Sequence, residues 1–106
     1  MSDFVLLYQG GSMPATEEER ARVMEAWTSW LGQLGGAVKD QGNPFSTQVK
    51  TISSDGSVSD GANGKPATGY SIIEADSIDS ALALAKDCPV LQGGGGIEVY
   101  ETFPVM

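Results

Sequence analysis

The chain has 106 residues, 41% of them hydrophobic, with six basic and fourteen acidic side chains. That suffices for one domain, 1–106, with one core, and the formal charge of -8 excludes nucleic acid and anionic lipid as natural partners. No apolar run reaches membrane-spanning length, no basic segment leads into an apolar one at the start, and the lone Cys88 has no disulfide partner, which together indicate a cytoplasmic protein.

From Asp3 to Gln9, Phe4, Leu6 and Tyr8 take one face of a strand and Val5 and Leu7 the other, the pattern of a strand covered on both sides. A loop through Gly10, Gly11, Ser12, Met13 and Pro14 follows. Thr16 and Glu19 then have the spacing of a capping box, and a long helix begins. Val23, Trp27, Trp30 and Leu34 form its apolar stripe, with Met24 and Leu31 beside it, and Gly35-Gly36 ends it. Aromatic residues at that spacing read as core, with at most one ring edge lining a pocket.

Ala37 to Gln41 reads as a short strand, broken by Gly42-Asn43-Pro44 before Phe45. Thr47 to Ser53 alternates and suits a sheet edge, so a hairpin is expected between these two strands. The run 54–66 is small, polar and turn-forming, with two Asp-Gly pairs. Thr68 to Ala75 is a second two-sided strand, with Tyr70 and Ile72 on one face and Ile73 and Ala75 on the other. Asp76 and Ser77 cap a helix over Ile78 to Asp87, which Pro89 stops. After glycines 93 to 96, Ile97 to Phe103 forms the last strand.

The order is strand, helix, strand, strand, helix, strand, with an excess before the Thr68 strand. This predicts an α+β, ferredoxin-like βαββαβ fold: an antiparallel sheet with both helices on one face. Two helices cover one face only. A second copy of the sheet is the simplest cover for the other, giving a homodimer.

The stretches FVLLYQG, Pro14-Ala15-Thr16-Glu17-Glu18-Glu19, GAVKDQGNPF (36–45), Asp60-Gly61, Gly69-Tyr70, Ile73-Glu74-Ala75-Asp76 and Ile97-Glu98-Val99-Tyr100 occur in that order over nearly the whole chain. In these the chain resembles the YCII-related family, whose DGPF-type branch belongs to the dimeric α/β-barrel group. The resemblance implies the fold, a dimer and a site location. It supplies no reaction, since the family is mostly of unassigned activity, with a few relatives implicated in dehalogenation or isomerisation of ring-derived compounds. Ala62-Asn63 stands where the DGPF branch has Pro-Phe, and of the family's histidine and aspartate pair only Asp40 has a counterpart.

The chain contains no histidine, so any proton transfer rests on carboxylates, hydroxyls, lysines or tyrosines. Asp40 is the candidate catalytic group. It is expected in the space between the sheet and the first helix, where partial burial would suit a proton acceptor or donor; the alternative is a turn carboxylate accepting nearby amides. Tyr8, Ser12 and Tyr70 are candidates to orient a ligand at one cavity mouth, although either tyrosine hydroxyl could equally satisfy a buried hydrogen bond. Glycines 93 to 96 lack the strand-to-helix context of a phosphate loop and read as a flexible rim. Cys88 reads as a core thiol, no acidic cluster has metal spacing, and no cofactor is implied. Three functions follow: a homodimer binding a small, partly apolar organic molecule between helix and sheet, an isomerase or lyase using Asp40, or a non-catalytic interaction module.

Overall fold

The computed structural model describes residues 1–11 and 15–105. Strand β1, Ser2–Gln9, and strand β5, Ala67–Ala75, lie antiparallel at the centre of a four-stranded sheet. Their burial alternates residue by residue, as period-two side chains require. Phe4, Leu6, Tyr8, Ile73 and Ala75 are buried beneath the helices. On the opposite, open face Val5, Leu7, Tyr70 and Ile72 are half-buried.

Helix α1, Glu17–Leu34, begins where the Thr16 hydroxyl accepts from the Glu19 amide at 3.1 Å, and Glu19 Oε2 accepts in return from the Ala15 amide at 3.0 Å. This is the expected box shifted by one donor. Trp30 is buried, and Trp27, Leu31 and Leu34 pack against the core. The stripe engages only from Trp27 onward: Val23 and Met24 are exposed because the first half of α1 extends past the core.

Gly35, at φ 54°, ends α1 into a short 3-10 turn, Gly35–Ala37, which delays strand β2 to Val38–Asp40. The expected hairpin between the second and third strands does not form. Strand β2 pairs with β5, while β3, Lys50–Ile52, pairs with β4, Val58–Asp60. The reason is local on both sides. Past the break, the Phe45 amide donates to the Thr68 carbonyl at 2.8 Å, which holds the chain alongside β5. Meanwhile Asp55-Gly56, with Gly56 at φ +89°, turns the chain tightly enough for β4 to return along β3.

Helix α2, Ile78–Ala85, starts where Ser77 Oγ accepts from the Ser80 amide at 3.1 Å. It stops two residues short of the expected Asp87, and Pro89 opens a separate short helix, α3, Pro89–Gln92, where its missing N–H costs nothing. Strand β6, Gly96–Glu101, completes the sheet in the order β2-β5-β1-β6, all neighbours antiparallel. This is the ferredoxin-like α+β arrangement, with β3 and β4 as a separate two-stranded sheet. No helix among the described residues is long and apolar enough to cross a membrane.

Candidate functional site

The helix side of the sheet is closed by aromatic rings. Tyr8 meets Trp27 edge-on at 5.1 Å, Trp27 meets Trp30 edge-on at 5.7 Å, and Trp30 Nε1 donates to the Leu84 carbonyl at 3.0 Å. The Tyr8 hydroxyl donates to Ser71 Oγ at 2.7 Å, and Ser71 donates onward to the Gln41 carbonyl at 2.7 Å. Burial raises the Tyr8 pKa well above the ordinary phenol value, a shift opposed by the hydrogen bond to Ser71. Its hydroxyl therefore serves a buried hydrogen bond. Cys88, 1% exposed, lies beside it with a thiol pushed up to about 11 by burial, the state of a core thiol and not of a nucleophile.

Asp40 lies elsewhere. A regular strand would send Asp40 to the same face as Val38, toward the helices. The β2 ladder instead shifts between them: Val38 pairs with Ile73 of the helix side and Asp40 with Ile72 of the open side. A single-residue slip of this kind reverses the face. Asp40 Oδ1 accepts from the Gly42 amide at 2.8 Å, and Oδ2 accepts from the Tyr70 hydroxyl at 3.4 Å. Asp40 is exposed, while Gly42 of the turn it closes is half-buried against β5.

Phe45 stacks on Tyr70 with ring centroids 5.8 Å apart, so Asp40, Tyr70 and Phe45 form one carboxylate-phenol-ring cluster on the open face. The expected common mouth for Tyr8 and Tyr70 is thus divided by the sheet, because adjacent register positions, Gly69 opposite Tyr8 and Tyr70 opposite Leu7, point to opposite faces. Ser12 lies outside the described residues. Phe45 had no role in the sequence reading of the site; the signal was its place one residue after a Gly-Asn-Pro break that leads back onto β5.

A cavity of about 570 Å³ opens along the seam between α1 and the α2–α3 corner, with Trp30 and Cys88 at its base and Ser29, Gln33, Lys86 and Gln92 among its walls. Buried Trp30 and Cys88 at the base, with amide groups, the Lys86 ammonium and the Asp87 carboxylate around them, suit a small molecule that is part apolar and part polar. The glycine run beside it is not a loose rim. The Gly95 amide donates to the Val90 carbonyl at 3.0 Å, and a Cβ on Gly95 would lie 2.7 Å from the Gln9 carbonyl oxygen, so the loop is pressed onto the end of β1. Among the described residues no group of three or more acidic, cysteine or histidine side chains is placed to hold a metal ion.

No protein-family model matches the chain, and no curated protein matches it. The chain is similar in structure to 5-chloro-2-hydroxyhydroquinone dehydrochlorinase (TftG) from Burkholderia phenoliruptrix AC1100, solved in complex with 2,5-dihydroxybenzoquinone. The TM-score is 0.53 at 18% identity, over 94% of this chain and 93% of that one. At that identity the likeness shows the fold: the chain shares its α+β arrangement with an enzyme that holds a small ring compound.

Proposed function

We propose that residues 1–106 act as one domain of a cytoplasmic homodimer of the YCII-related type, which binds a small, partly apolar organic molecule. The ligand occupies the cavity at Trp30, which lies between α1 and the α2–α3 corner and not between helix and sheet as expected, and the open sheet face meets a second copy. The observation that carries the ligand reading is the open cleft of about 570 Å³ with Trp30 and Cys88 at its base. The structural neighbour's bound ring compound supports the same ligand class. The half-buried Val5, Leu7 and Ile72 support the dimer.

Native mass spectrometry of gently purified protein tests both parts. A dimer that releases a stoichiometric small molecule on denaturation is expected, and Ser29→Trp, which fills the cavity with a ring, should give an empty dimer. An empty wild-type dimer whose tryptophan fluorescence also ignores 2,5-dihydroxybenzoquinone refutes ligand binding in the cavity. A monomer at micromolar concentration refutes the dimer.

The second reading is an isomerase or lyase, favoured by the hydrogen bond between the Tyr70 hydroxyl and Asp40. Asp40 would take a proton from an acidic carbon or hydroxyl of the substrate and return it to another atom, with the Phe45 and Tyr70 rings aligning a planar substrate. Turnover that survives Asp40→Asn unchanged removes that role. A non-catalytic interaction module, the third possibility, draws support from the rings of Trp27 and Trp30 filling the space above Tyr8, and it is what an empty dimer would leave.

A further inference from the structure

The β3–β4 hairpin contributes nothing to the core. Its two strands pair with each other in a sheet of their own, and Ile52 and Val58, directly opposite across that ladder, are 73% and 61% exposed. A lone two-stranded hairpin is marginal in water, and strands of three residues offer few ladder bonds. A paired apolar tip on such a hairpin needs a surface outside its own protomer.

We infer that this hairpin is an arm that lies on the second copy of the chain, with Ile52 and Val58 seated against that copy; the inference rests on the open sheet face being the dimer interface. Three observations select a second copy as the occupant. The first is continuity. Phe45, at the root of the arm, stacks on Tyr70 of the open face, so the arm leaves the chain at the border of that face.

The second is area. The strands β2, β5, β1 and β6 have three, nine, eight and six residues. At about 3.3 Å per residue and about 4.8 Å between strands, their face projects roughly 400 Å². A stable interface buries about 800 Å² on each partner. The projection understates the accessible area that the side chains present, so the flat face makes a modest interface, and an arm from each protomer enlarges it.

The third is charge. Between Ser46 and Pro66, Lys50 and Lys65 balance Asp55 and Asp60, so the whole formal charge of -8 lies outside the arm. The open face carries the Lys39–Glu74 pair and the carboxylates of Asp40 and Glu98, so a neutral arm adds contact between two acidic copies without adding to their repulsion.

The test is sedimentation velocity over a concentration series on the full chain and on the double variant Ile52→Ser, Val58→Ser. Both side chains are exposed in the protomer, so circular dichroism and the dilute melting point should be unchanged. The dimer dissociation constant should rise by about tenfold or more, as expected when several buried apolar side chains are lost from an interface. Hydrogen exchange on the wild type gives a second readout that needs no variant: the Lys50–Ile52 and Val58–Asp60 amides should gain protection at dimer concentrations and lose it on dilution. A dimer of unchanged affinity in the variant, with arm amides equally exposed at all concentrations, overturns the arm and leaves the sheet-face dimer standing. A wild type that stays monomeric overturns both.

Discussion

Replacing Gly42 with alanine should cost far more than one methyl group suggests. Gly42 sits at φ +73°, and a Cβ there would lie 1.7 Å from the Tyr70 carbonyl oxygen and 2.6 Å from its carbon. Positive φ alone costs a non-glycine residue about 1–2 kcal/mol. Relief of the clash requires the segment to withdraw from β5 by at least about 1.5 Å, since ordinary carbon contacts need about 3.5 Å. That movement breaks the Tyr70 amide to Asn43 carbonyl bond (3.3 Å) and strains the buried Ser71 to Gln41 bond (2.7 Å). Each is worth about 1 kcal/mol net, and more where a buried group is left unpaired. The total is about 3–5 kcal/mol, or roughly 15–30 °C in melting temperature for a domain of this size. Urea and thermal unfolding followed by circular dichroism would measure it. Gly35→Ala, at the end of α1, is the internal control: Gly35 also has positive φ, +54°, but nothing stands within 4 Å of its missing Cβ, so only the backbone cost of about 1–2 kcal/mol applies. A Gly42→Ala loss no larger than that of Gly35→Ala would refute the close-approach reasoning.

Tyr8→Phe keeps the ring against Trp27 but removes the donor to Ser71 Oγ, and a loss of about 1–2 kcal/mol is expected in urea unfolding; an unmoved midpoint would count against the buried chain. Gly95→Ala, with a Cβ 2.7 Å from the Gln9 carbonyl oxygen and 2.8 Å from Val90 Cγ2, should cost about 1–3 kcal/mol through overpacking, and a neutral result would mean that the loop yields freely. Cys88 should resist iodoacetamide at pH 8 until urea exposes it, because a thiol pushed up to about 11 holds almost no thiolate. Burial raises both the Cys88 thiol and the Tyr8 hydroxyl, so the folded state favours their neutral forms; stability is fully present below the free thiol's ordinary value of 9.0 and falls as the pH climbs from there toward about 11. Melting temperatures that stay flat from pH 8 to 11 would contradict this.

What could be read in the sequence was whatever is written locally. The alternation in β1 and β5, the Thr16 cap and the Ser77 cap each depend on neighbours within a few residues, and each appears where expected. Strand β4 was hidden because Val58-Ser59-Asp60 has too few apolar residues to show a period; it exists through the Asp55-Gly56 turn and its ladder with β3. Pro89 bounds α2, which already stops at Ala85, and the same residue opens α3; a stop and a start are indistinguishable at a proline. Asp40 was expected between the sheet and the first helix; it stands on the open side, in the geometry of the alternative reading, a turn carboxylate accepting the Gly42 amide. The ladder shift between Val38 and Asp40 depends on how β5 is paired, which no neighbour of Asp40 encodes.

That shift joins the two faces of the sheet at one point. Gln41 gives its carbonyl to Ser71, and through Ser71 to Tyr8 of the core, while the adjoining Asp40 reaches Tyr70 on the open side. The core thus fixes the backbone from which the exposed carboxylate is presented, and Gly42, which lies against β5, closes the turn between them. The two candidate sites differ in what they require of assembly. The cavity at Trp30 is built entirely by α1, α3 and the segment joining α2 to α3 of one protomer, so a ligand held there binds with the same affinity above and below the dimer dissociation constant. The Asp40-Tyr70-Phe45 cluster lies on the face proposed to meet a second copy, where water is excluded only when that copy is present. Proton transfer at an open, hydrated carboxylate gains little over solvent, whereas the same group in a covered site acts in a lower dielectric. Specific activity that rises with protein concentration through the dimer midpoint and is lost in Asp40→Asn therefore assigns the chemistry to Asp40, and ligand binding indifferent to concentration assigns the function to the cavity.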